Sequence, residues 1–136
     1  MLTLTNQPID IERLRRECQL HTAGALVTFE GVVRSFSKGK NVVRLEYEAT
    51  LALAHAEFDL IVQEVARHQP LLWVRCEHRT GMVLPGETAI WLAVATGHRA
   101  EGFEACRLLM DLIKSRLPVW KKEYYEDGES DWINGP

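Results

Sequence analysis

The chain has 136 residues, 46% of them apolar and 26% charged, a balance that suits a soluble globular protein. Its length fits one domain, residues 1–136, able to bury roughly two thirds of its unfolded surface without metal or disulfide staples. A formal net charge of -3 argues against a nucleic-acid binder, so any anion site has to come from local clustering of cations.

The opening MLTLTNQPIDIERL lacks a basic region and a long apolar core, so it does not read as a signal peptide. No apolar run approaches the roughly 18 residues of a membrane span. The expected location is the cytoplasm. Cys18, Cys76 and Cys106 are far apart, odd in number and without a CxxC pair, which reads as buried thiols in a reducing compartment.

Asp10 is a candidate N-cap for a first helix. Ile11, Leu14 and Cys18 recur at helical spacing, and the helix is expected to run to His21-Thr22, before Gly24. From Gly24 to Phe36 the pattern changes to period two, with Ala25, Val27, Phe29, Gly31 and Val33 on one apolar face. Gly31 inside this strand predicts a bulge or a close backbone approach. Ser35 to Asn41 reads as a polar turn, and Val43 to Glu48 as a second strand forming a hairpin with the first.

Thr50 is placed to cap a second helix with a stripe of Leu51, Ala54, Phe58, Ile61 and Val65, closed by Pro70. Leu72 to Arg79 alternates as a third strand. Leu84-Pro85-Gly86-Glu87 is a turn in which Gly86 is free to take positive φ. Thr88 to Gly97 is almost wholly apolar, which predicts a strand covered on both faces. A third helix spans about Arg99 to Leu117, and Pro118 stops it. Val119 to Tyr124 is extended, and Glu126 to Asp131 is an acidic, turn-rich tail. The order of elements implies α+β, with a mainly antiparallel sheet and about three helices.

No GxGxxG, Walker loop, HExxH or GxSxG motif occurs, and no histidines or cysteines sit at metal-ligand spacing. What remains is a set of cations at element ends. Arg34 closes the first strand. His98 and Arg99 lie where a strand meets a helix N-terminus, whose unpaired N–H groups attract anions. Lys114 sits near the end of that helix, and Lys121-Lys122 follow Pro118.

Each has a bland reading. Arg99 can simply face solvent, Lys114 can be a snorkelling surface lysine, and Lys121-Lys122 a charged sheet edge. The functional readings are an anion pocket at His98-Arg99 and a lysine of lowered pKa at Lys114. Trp120 and Tyr124 suit a groove wall around Lys121-Lys122 equally well. Spacing alone reaches an anion-binding α+β domain and goes no further.

Longer motifs carry a resemblance. FEGVVR (Phe29 to Arg34), LEYEA (Leu45 to Ala49), HRTG (His78 to Gly81) and PGE (Pro85 to Glu87) occur in that order. HR..GFEAC (His98 to Cys106), LIK..LPVWKKE (Leu112 to Glu123) and a closing Asp127, Gly128 and Trp132 follow. From about Gly24 to Trp132 the chain resembles the molybdopterin synthase large-subunit family. Their joint order makes the signal strong, although each motif is weak alone.

That resemblance implies an α/β hammerhead-like fold and a sulfur transferase. The expected substrate is cyclic pyranopterin monophosphate, converted to the dithiolene of molybdopterin. Sulfur is expected from the thiocarboxylated C-terminal glycine of a small ubiquitin-like partner subunit. The implied assembly is a homodimer within a heterotetramer, and no metal or other cofactor is expected. By the same resemblance Arg34, His98 and Arg99 bind the anionic end of the substrate, contributed across the dimer. Lys114 and Lys121 are the expected catalytic lysines and also contact substrate, together with Lys122 and Glu123. A non-catalytic module that captures a ubiquitin-like C-terminus is the competing reading, because a terminal carboxylate is also an anion.

Overall fold

Ten strands and three helices alternate along residues 1–135, the part described by the computed structural model. In chain order they are β1 (Leu2–Thr5), α1 (Ile11–Glu17), β2 (Ala25–Val32), β3 (Phe36–Ser37), β4 (Lys40–Ala49) and α2 (Leu51–Ala66). There follow β5 (Trp73–Arg79), β6 (Gly81–Val83), β7 (Thr88–Thr96), α3 (Arg99–Arg116), β8 (Val119–Tyr125), β9 (Gly128–Glu129) and β10 (Ile133–Asn134). One sheet runs β1-β5-β7-β2. The other runs β10-β8-β4-β3, with β6 added to β4 and β9 to β8. Only the β1–β5 pairing is parallel, so the architecture is the expected mainly antiparallel α+β.

The first sheet is packed on both faces because β7 alternates apolar residues in both directions. Ile90, Leu92 and Val94 join the main core. Trp91 and Ala93 point the other way and pack with Leu14 of α1. Every residue of β7 from Ala89 to Thr96 is buried, as its unbroken apolar run predicts. Helix α3 lies on β2 and β7, and α2 lies against α3. Ala54, Phe58, Ile61 and Val65 form the buried stripe of α2.

Helix ends follow local chemistry. Asp10 Oδ1 accepts the Arg13 N–H at 3.0 Å and starts α1. The helix stops at Glu17 rather than at His21-Thr22, because its apolar stripe ends at Cys18 and Leu20 already faces solvent. Thr50 occupies the N-cap of α2, but its hydroxyl makes no capping bond. Leu117 takes an extended conformation before Pro118 and ends α3.

The expected hairpin between the Gly24–Phe36 and Val43–Glu48 segments does not form. β2 pairs with β7 and β4 with β8, so the two strands belong to different sheets. The register slips between Gly31 and Val32, and the chain then leaves the first sheet. A Cβ on Gly31 would stand 2.6 Å from Ile90 Cγ2, which is the close approach its position suggested. The actual hairpin is β3–β4, turned by Lys38 at φ 53° and Gly39 at φ 76°.

Replacing Phe58, fully buried beneath α2, with alanine is expected to cost about 3–5 kcal/mol of stability. Urea unfolding of Phe58→Ala checks this, and a loss below about 1 kcal/mol would contradict the packing described.

Candidate active site

The bend after Gly31 opens a cleft of about 220 Å³ between the end of β2, the inner face of β4 and β8, and the last turns of α3. Its apolar wall includes Phe29, Val32, Leu45, Ile90 and Met110. Four charged groups face it: Arg34, Lys114, Lys121 and Glu123. Each arrives by a local rule. Arg34 follows the bulged end of β2. Lys114 stands one turn beyond Met110, so both share a face of α3. Lys121 and Glu123 are two apart on β8 and therefore point to the same side. Across the β4–β8 ladder, Tyr47 lies opposite Lys121 and Leu45 opposite Glu123.

Three cations and one carboxylate line this cleft, with Arg34 and Lys114 exposed, Lys121 half-buried and Glu123 buried. Burial is the main reason the Lys121 ammonium loses protons more readily than an ordinary lysine. Lys114, Lys38 and Arg34 push in the same direction, and Glu123 opposes them. Glu123 is 5% exposed, and its Oε2 accepts a hydrogen bond from the Tyr125 hydroxyl at 2.5 Å. Burial, helped by Glu123, pushes the Tyr47 phenol up to about 12. The arrangement can hold an anion, stabilise developing negative charge and move a proton at Lys121 Nζ.

Not all of the expected residues meet here. Lys122 lies on the opposite face of β8, because strand neighbours alternate. Its Nζ is 3.1 Å from Glu129 and lies over the rings of Tyr124 and Trp132. His98 and Arg99 are exposed at the N-terminus of α3, where His98 makes no side-chain cap bond. Arg99 and Lys114 are fifteen positions apart on that helix, or about 22 Å at the usual rise. In one chain the two ends cannot serve the same ligand. Lys114 is exposed, so the partly dry lysine of the cleft is Lys121 rather than Lys114.

Sequence reasoning missed Lys38, Tyr47 and Tyr125. Alternation from Leu45 and Glu123 was the available signal for the two tyrosines. His78 is fully buried, held at Nδ1 by the Arg79 carbonyl at 2.7 Å and packed edge-on to Tyr47 with centroids 5.0 Å apart. Burial lowers its pKa to about 4, so it stays neutral and braces the cleft wall. Burial also raises the thiols of Cys18, Cys76 and Cys106, which makes them poor nucleophiles. Among the described residues no group of three His, Cys, Asp or Glu is placed to hold a metal, and no helix is long and apolar enough to cross a membrane.

A model of the MoaE protein family matches residues 4–116. The chain belongs to the MoaE family. A curated relative from Oryza sativa subsp. indica, named molybdopterin synthase catalytic subunit, is 40% identical over 89% of this chain and 63% of its own length. The chain thus spans somewhat under two thirds of that plant relative. One of the same name from Halalkalibacterium halodurans is 38% identical over 96% of this chain and 83% of its own length. The crystal structure of molybdopterin synthase from Staphylococcus aureus superposes with a TM-score of 0.89 at 32% identity, covering 97% of this chain and 96% of that one.

In the MoaE-family cleft Lys121 is the amine expected to titrate below the ordinary lysine range. NMR of isotopically methylated lysines across a pH series reads this directly. Arg34→Ala and Lys114→Ala should each raise the Lys121 midpoint, since each removes a neighbouring positive charge. A midpoint at or above that of the surface lysines would contradict the clustering.

Proposed function

We propose that this chain is the catalytic subunit of a molybdopterin synthase, a sulfurtransferase of molybdenum cofactor biosynthesis. It takes sulfur from the thiocarboxylated C-terminal glycine of a small ubiquitin-like partner and installs it in cyclic pyranopterin monophosphate, forming the dithiolene. The single observation that carries this reading is the convergence of Arg34, Lys114, Lys121 and Glu123 on one cleft in a MoaE-family chain. Sulfur attack on the pterin side chain builds negative charge and needs proton transfers. Opening the cyclic phosphate needs a stabilised leaving oxygen. Fixed cations in a partly dry cleft serve both needs, and an amine of lowered basicity at Lys121 is suited to relay a proton.

The anion-binding set is completed by a second copy of the chain. His98 and Arg99 are exposed and remote from Lys114 in their own protomer. β2 is an edge strand that, among the described residues, pairs only with β7. Phe29 and Val32, at the cleft mouth on this edge, are 40% and 51% exposed. An exposed apolar edge of this kind favours burial against another chain. A homodimer formed there would bring one copy's His98 and Arg99 toward the other's Arg34, with small subunits completing a heterotetramer. The location proposed is the cytoplasm, where three unbridged cysteines stay reduced.

The competing reading is a module that binds a ubiquitin-like tail without chemistry, which the same basic cleft supports. Mixing the chain with thiocarboxylated partner and precursor separates the two. Product formation favours the enzyme, and binding without product favours the module. Lys114→Ala and Lys121→Ala are expected to abolish conversion while the chain remains folded. Arg34→Ala is expected to weaken precursor binding about tenfold or more, the scale of one charge-assisted hydrogen bond. Full turnover by either lysine variant removes that lysine from the mechanism, and unchanged affinity in Arg34→Ala removes the arginine from the anion site.

A further inference from the structure

The carboxylate of Glu123 does not stand alone in the cleft. β8 presents Lys121, Glu123 and Tyr125 on its inner face, in that order. Only the first two line the cleft. Tyr125 stays outside, with its ring packed against the core edge and the Lys40 ammonium 5.2 Å from its centroid. Its hydroxyl donates to Glu123 Oε2 at 2.5 Å. Oε1 of the same carboxylate has no protein donor among the described residues. The Glu123 backbone is itself fixed: its N–H donates to Ser130 Oγ at 2.8 Å, and its carbonyl accepts from the Ser130 N–H at 2.8 Å.

We propose that Tyr125 is a positioning residue for the cleft: its hydroxyl fixes the direction of the Glu123 carboxylate, so that this group faces the cations around Lys121. This rests on the sulfur-transfer reading of the same cleft. The physical need is plain. A carboxylate as buried as that of Glu123, 5% exposed, needs hydrogen-bond partners. Tyr125 supplies a donor from outside the cleft. A Glu123 turned away would leave Lys121 facing Lys114, Lys38 and Arg34 without the group that opposes them, and its ammonium would lose protons more readily still.

The groups that bear on Glu123 come from several elements. Tyr125 and Lys121 act from β8 itself, and Tyr47 faces it from β4. Through Lys121 it is linked to Lys114 on α3, Arg34 after β2 and Lys38 in the β3–β4 turn. Among the described residues Tyr47 makes no hydrogen bond to Glu123, and Tyr125 is the side chain that donates one to its carboxylate.

Tyr125→Phe tests this cleanly, because it keeps the ring against the core and beneath Lys40 and removes only the hydroxyl. The first readout needs no turnover: the Lys121 amine, followed by NMR of isotopically methylated lysines across a pH series in the full chain. Its midpoint is expected to fall in Tyr125→Phe, because the carboxylate that raises it is no longer held toward it. The second readout is the pH profile of conversion with thiocarboxylated partner and precursor. The limb of kcat set by Lys121 should move to lower pH by a similar amount, with KM unchanged. A merely structural tyrosine would lower kcat equally at every pH or change KM. An unmoved Lys121 midpoint overturns the role of Tyr125 whether or not the chain turns over. Absence of turnover in the wild type overturns the sulfur-transfer reading instead, and the Lys121 titration then decides the role of Tyr125 by itself.

Discussion

A lysine ammonium held half-buried in the cleft is the constraint around which the site is arranged. Burial does most to make Lys121 give up its proton, the exposed Lys114, Lys38 and Arg34 add to this by charge, and Glu123 opposes it. The arrangement persists because the backbone elements that carry these residues are fixed by packing elsewhere. Glu123 sits in the β4–β8 ladder opposite Leu45, and Lys121 sits opposite the buried Tyr47. Lys114 is fixed by α3, whose Ala105, Leu109 and Ile113 are fully buried. Cations fixed in this way are placed to favour a bound phosphate or a developing negative charge, as the proposed function requires.

The route by which the chain builds the cleft begins at β7. Its apolar residues alternate toward two packed faces, so the first sheet is rigid on both sides. β2 lies along it until Gly31, where the missing Cβ lets the backbone close on Ile90. The register slip that follows turns the chain out of the first sheet, and Arg34 appears at that corner. The same turn frees the mouth residues Phe29 and Val32 from cover within the chain. A single local irregularity thus positions the arginine, opens the cleft and exposes the edge proposed to meet a second copy.

Much of this was legible in the residues. The unbroken run from Thr88 to Gly97 read correctly as a doubly covered strand, and the stripe through Phe58 and Ile61 as a buried helix face. Gly31 announced its bulge. The pairing of β2 with β4 was misread, because adjacency in sequence favours hairpins and nothing local marks a strand that changes sheets. β1 escaped notice because its four residues gain their stability from β5, far along the chain. β6, β9 and β10 are only two or three residues long and exist as additions to longer strands. At the site, period two brought Lys121 and Glu123 to one face and sent Lys122 to the other. The resemblance to a family named Arg34, Lys114 and Lys121 together, whereas spacing alone had left them as scattered cations. Tyr125 was invisible because its role depends on a hydrogen bond to a residue two positions away.

The central claim is that Arg34, Lys114 and Lys121, joined by His98 and Arg99 of a second copy, form one anion pocket. A crystal structure of the full chain soaked with inorganic phosphate tests it most directly. The account predicts phosphate in the cleft between the end of β2 and the start of β8, touching Arg34, with His98 and Arg99 of a neighbouring protomer reaching the same ion. Phosphate bound elsewhere with this cleft empty, or a dimer that holds His98 of every copy away from Arg34, would contradict it.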